Sequence, residues 1–183
     1  MRWLIFSLLS GPVAAAACPP VPDIAPAMDA LIEQAHAADT ISEGQEVGRE
    51  MWKIWADAPD EAAQAILDRG MGKRRVFDLL GALVDFDELV QYCPDYAEGY
   101  NQRAFVHYLQ EDYPAAILDL DEALARSPRH VGALSGKALA LLRLGRTREA
   151  RLVLTQALSI NPWIPERSLV VPGAPLAPVG EEL

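Results

Sequence analysis

The chain has 183 residues, 51% hydrophobic and 23% charged, the composition of a folded domain with room for a sizeable core. Sixteen basic against 26 acidic residues leave a formal net charge of -10, which repels phosphate backbones and anionic lipid headgroups. Nucleic acid is thereby excluded as a partner, and a membrane is left only through a covalent anchor.

The N-terminus MRWLIFSLLSGPVAAAAC pairs Arg2 with an apolar run from Trp3 to Leu9 and small residues at Ala14 to Ala17. That is the layout of a secretory signal peptide over 1–17, too short to span a bilayer once Gly11-Pro12 is counted. It predicts export across the inner membrane to the periplasm. Two uses of Cys18 stay open. Ala15-Ala16-Ala17-Cys18 is a weak lipobox, which would make the chain an outer-membrane lipoprotein. The only other cysteine is Cys93, and an oxidising compartment favours pairing the two. A Cys18–Cys93 bridge would tie the mature N-terminus to a helix end.

After an extended segment, 18–27, the stretch 28–62 reads as an atypical capping pair of helices, with Val47, Met51, Trp52, Ile54 and Trp55 as its apolar stripe. A fainter pair follows over 63–96. Its second helix keeps Ala82, Phe86 and Pro94, whereas Gly70 and Gly72 each cost about 1 kcal/mol relative to alanine in a helix. A short or bent first helix is predicted there.

Residues 97–130 and 131–164 are the clearest pairs, because a shift of 34 residues superposes them. Ala104 falls on Ala138, Ala116 on Ala150, Leu118 on Leu152, Leu120 on Leu154, Ala123 on Ala157, Leu124 on Leu158 and Pro128 on Pro162. Small residues at helical spacing let two antiparallel helices approach closely, and each proline ends a unit. Residues 165–183 read as a short cap followed by a flexible Pro-rich tail.

These positions resemble the tetratricopeptide repeat. The pattern is carried by Tyr100, Ala104, Ala116, Leu120, Ala123 and Pro128, then by Leu134, Ala138, Ala150, Leu154, Ala157 and Pro162. The resemblance implies an all-α fold, a right-handed superhelix of about four antiparallel helix pairs, in which stability comes from contacts between neighbours. His107 departs from the tyrosine usual at its position.

No catalytic or metal-binding constellation is present in the sequence. His36, His107 and His130 lie far apart, with no H-x-x-x-H or H-E-x-x-H spacing, and phosphate-loop, dinucleotide and nucleophile-elbow motifs are lacking. No enzyme activity and no cofactor is expected. His107 is expected to pack on its helix and His130 to stand exposed at a unit boundary. The acids Asp85, Asp87, Glu88, Asp119, Asp121 and Glu122 recur in register on second helices and read as a solvated convex wall.

What the resemblance leaves for function is the concave groove lined by first helices. It places there Gln64, Leu67, Met71, Arg74 and Arg75, then Glu98, Asn101, Phe105, Tyr108 and Leu109, then Gly132, Ser135, Leu139, Leu142 and Arg143. The candidate partner surface is Arg74, Arg75, Asn101, Phe105, Tyr108, Leu139, Leu142 and Arg143, although Phe105, Leu139 and Leu142 equally suit packing between repeats. Its apolar strip with arginines at one margin suits a protein or peptide segment with bulky apolar side chains and an acidic flank. Leu67 and Met71 stand where chaperone-binding relatives need polar clamp residues, so that activity is not implied.

Overall fold

The structure, a computed structural model, describes residues 17–178; the expected signal peptide up to residue 16 and the last five residues of the tail lie outside them. Among the described residues the regular elements are eight α-helices and a closing 3-10 turn. These are α1 Ala25–Ala37, α2 Ile41–Trp55, α3 Glu61–Arg75, α4 Leu79–Tyr92, α5 Ala97–Leu109, α6 Tyr113–Arg126, α7 Val131–Arg143, α8 Thr147–Ile160 and the 3-10 helix Pro165–Val170.

Short polar side chains start four of them. Thr40 accepts from the Glu43 amide while the Glu43 carboxylate takes the Thr40 amide, a capping box for α2. Asp60, Asp78 and Asp112 cap α3, α4 and α6 in the same acceptor role. Helix α1 begins ahead of the expected boundary, at Ala25, because Pro26 suits a first helical turn whose amides lack partners anyway.

The pairs α3–α4, α5–α6 and α7–α8 are joined by one repeated turn. The second residue after each first helix's end adopts positive φ, at Phe77 (61°), Glu111 (62°) and Gly145 (73°). Its amide, and that of the next residue, return to carbonyls of the last helical turn in all three units. Glycine is at ease there, whereas a side chain costs roughly 1–2 kcal/mol.

The alanines expected to permit close approach are buried, including Ala82, Ala104, Ala116, Ala123, Ala138, Ala150 and Ala157, beside Phe86, Leu120 and Leu154. The expectation of a short or bent helix at the two glycines is corrected, since α3 is continuous over 15 residues. A β-carbon on Gly70 would lie 2.6 Å from the Phe86 ring. Glycine is therefore required for the α4 phenylalanine to seat against α3, and the buried contact outweighs its weak helix propensity.

The N-terminal pair does more than cap its neighbour. Met28, Ala35, Met51 and Trp55 share a core with Val131, Leu134, Ile160 and Ile164 of the last repeat. Trp163 Nε1 donates to the Ala35 carbonyl at 2.8 Å, His36 Nε2 lies 3.0 Å from the Ser159 carbonyl, and Arg129 pairs with Asp29. Gly44 makes this possible, because a β-carbon there would fall on the Trp163 indole. In a simple solenoid each unit touches only its neighbours. Here the first pair crosses to the junctions of the last two.

Beyond the 3-10 helix the described part of the tail packs on the last repeat. Leu176 is fully buried; its amide bonds the Leu169 carbonyl, and its carbonyl accepts from Arg151. Residues up to 178 fold back on α8.

Candidate functional site

First helices α3, α5 and α7 present the inner wall. Arg74 lies half-buried with its guanidinium 4.3 Å from the Phe105 ring centre, a cation–π contact across adjacent repeats. Burial pushes its pKa down, and its Nε has no hydrogen-bond partner. Further along, Tyr108 meets Tyr113 edge to face at 5.4 Å, and Arg143 Nε donates to the Tyr113 hydroxyl at 3.2 Å. The structure thus joins Arg74 with Phe105, and Tyr108 with Arg143 through Tyr113, a residue not singled out in the sequence.

The remaining candidates are placed differently. Asn101 donates to Glu98 at 3.0 Å. Leu142 packs on the large core, Leu139 is half-buried, and Arg75 is exposed. Arginines that stack on aromatic rings are less available to an acidic segment than the sequence suggested.

A large concavity lies beside this strip, where α1 and α2 face α3 and the junctions between repeats. It has a volume of about 1170 Å³ and is walled by Ile24, Met28, Leu31, Trp52, Trp55, Leu67 and Met71. Gln64, Leu67, Met71 and Glu98, all expected to face the groove, line it. Its rim is acidic. Lys53, Arg126 and Arg129 are already bound to Glu50, Glu122 and Asp29, whereas Asp57, Asp68 and Asp95 have no cationic partner among the described residues.

The cavity's inner end rests on a buried polar cluster. Glu98 accepts from Gln102 Nε2 at 2.5 Å and from Asn101, and lies 2.8 Å from His130 Nε2. His130 Nδ1 accepts from the Ala133 amide at 3.2 Å, capping α7, so the ring proton sits on Nε2 and is donated to Glu98. Trp55 stacks on the imidazole at 4.2 Å. His130 is therefore fully buried, correcting the expectation of an exposed boundary residue. Close by, Tyr96 donates to the Trp55 carbonyl at 2.7 Å, and burial, reinforced by Glu98, raises its pKa.

The acid rows are likewise corrected in part. Asp87, Glu88, Asp121 and Glu122 are exposed, but Asp85 and Asp119 are buried. Asp85 takes Arg69 and Lys73, each at 2.8 Å, and Asp119 takes Arg103 in a two-pronged pair. Arg103 also reaches back to Asp87, and Lys137 to Asp121, so the ion pairs run from repeat to repeat. The overlooked signal was the spacing of Arg69, Arg103 and Lys137, each 34 residues from the next.

A profile described as the tetratricopeptide repeat matches residues 107–163. A TPR repeat-containing protein of Rhizobium etli is 27% identical over 139 residues, covering 74% of this chain. The chain spans 66% of that relative's length. Among solved structures, the TPR2B-domain:pHsp70-complex of yeast Sti1 is similar at 26% identity with a TM-score of 0.52, covering 54% of this chain and 78% of that one. The first TPR of Spaghetti (RPAP3), bound to the HSP90 peptide SRMEEVD, has a TM-score of 0.57 at 18% identity, covering 58% and 84%, and speaks for the fold alone. Repeat period, turn geometry, buried small residues and profile agree: residues 107–163 match the tetratricopeptide repeat, and the described helices have the fold of a tetratricopeptide-like superhelix.

Proposed function

We propose that this chain is a non-catalytic interaction scaffold of the cell envelope that holds a protein or peptide segment in its concave groove. The observation that carries the reading is the open cavity of about 1170 Å³, apolar in its walls and acidic at its rim. The similar domain in the TPR2B-domain:pHsp70-complex of yeast Sti1 supports a protein or peptide segment as the ligand class. Charge alters the segment first expected. Unpaired acids at Asp57, Asp68 and Asp95 favour bulky apolar side chains flanked by lysine or arginine, not by acids.

The signal-like N-terminus supports export, and the sulfurs of Cys18 and Cys93, at bonding distance with Cα atoms 5.1 Å apart, support a bridge formed in an oxidising compartment. One sulfur cannot carry both a bridge and an acyl group. The bridge therefore weighs against a lipid-anchored assembly factor tethered through Cys18.

The test is calorimetric titration of the mature chain with two synthetic peptides, one alternating lysine with leucine and phenylalanine, the other glutamate with the same apolar residues. The basic peptide is expected to bind at least about tenfold more tightly, and Trp52→Ala and Asp57→Lys to weaken it. Equal affinity for both peptides, unchanged by either substitution, refutes the cavity as the site.

A further inference from the structure

The turn between α3 and α4 carries a surface that the repeat architecture does not use. Val76, Phe77 and Leu80 are 75%, 74% and 74% exposed, and Val84 continues the patch along α4. Phe77 holds a φ of 61° at the position where the third repeat has Gly145. The second repeat holds Glu111 at the same φ, so the turn itself sets that backbone; what is particular to the first is an exposed aromatic in place of a charged or absent side chain. Beside it Arg75 has no ion-pair partner among the described residues. In a chain of net charge -10, a free cation and an exposed apolar patch coincide here.

The cavity is the converse surface: apolar walls including Leu31 and Trp52, with the unpaired carboxylates of Asp57 and Asp95 at the rim. Within its own molecule the turn does not fill the cavity: Met71, one turn back on α3, lines it, yet Val76 and Phe77 stay three-quarters exposed.

We propose that the α3–α4 turn of one molecule inserts Phe77 into the acid-rimmed cavity of a second copy, with Arg75 facing Asp57 and Asp95. This rests on the cavity being the binding site argued above, and it names a second copy of the chain as an occupant. Because the surfaces differ, the contact is head-to-tail. Each added molecule leaves a free turn at one end and a free cavity at the other, so association continues into chains or closes into a ring.

Sedimentation velocity of the mature full-length chain over a concentration series tests this. Wild type is expected to associate with increasing concentration, less so at high salt. Phe77→Gly is expected to weaken association at least about tenfold without lowering Tm, since glycine suits that φ. Arg75→Glu and Asp57→Lys should each weaken self-association, and the two variants should associate when mixed. A wild type monomeric at every concentration, or association untouched by Phe77→Gly, overturns the proposal. A monomeric chain that still binds the lysine–leucine–phenylalanine peptide overturns self-association alone and leaves the groove reading standing. A monomer that binds anionic phosphatidylglycerol vesicles through Phe77 assigns the turn to lipid and likewise overturns it.

Discussion

His130 Nε2 lies 2.8 Å from Glu98 Oε2, with both side chains fully buried, so the first turn of α5 and the N-cap of α7, the first helices of successive repeats, are joined by one hydrogen bond in the interior. The Trp55 ring on the imidazole extends that joint to the N-terminal pair. A buried carboxylate that loses a donor keeps its desolvation cost, so His130→Ala is expected to destabilise the chain by about 3 kcal/mol. The check is the urea midpoint with m unchanged; a loss below about 1 kcal/mol would show the joint to be incidental.

Asp85 links folding to pH. Burial pushes its pKa up, but hydrogen bonds and charge from Lys73 and Arg69 prevail and hold it below the ordinary aspartate value. A group depressed on folding stabilises the fold above its unfolded pKa and loses that contribution as pH falls through the folded one. Stability is expected to drop as pH falls below about 4, and Asp85→Asn to flatten that drop while costing about 3 kcal/mol at neutral pH. Urea melts of both proteins across pH 2–7 measure it.

The two glycines of α3 are expected to respond in opposite ways. A β-carbon at Gly70 meets the Phe86 ring, so Gly70→Ala should lose about 1–2 kcal/mol despite alanine's better helix propensity. At Gly72 nothing lies within 4 Å, so Gly72→Ala should gain about 0.5–1 kcal/mol. Thermal melts of the pair give the sign directly.

A bridge between Cys18 and Cys93 would close a sequence separation of 75 residues. Its removal by Cys18→Ser is expected to cost about 4 kcal/mol in the absence of reductant and nothing in its presence. Peptide mapping of the mature chain without reduction identifies the bond, and two alkylatable thiols in oxidised protein would refute it.

Much of the fold was legible in the chain itself. The 34-residue period, the helix pairs and the buried alanines follow from spacing along one helix and from contacts between adjacent units, both of which a sequence displays. The Arg69, Arg103 and Lys137 series was equally visible, and its partners could have been read from Asp85 and Asp119 in register.

What only the tertiary structure decided concerns residues whose surroundings come from elsewhere in the chain. His130 looks like a boundary histidine until Glu98 and Trp55 close over it. Gly70 looks like a helix breaker until Phe86 occupies the space. The path of the N-terminal pair hangs on contacts such as Trp163 with Ala35, 128 residues apart. The cavity exists only because that pair crosses the repeats. Helical periodicity says which side of a helix is apolar; which distant group covers that side is set by packing.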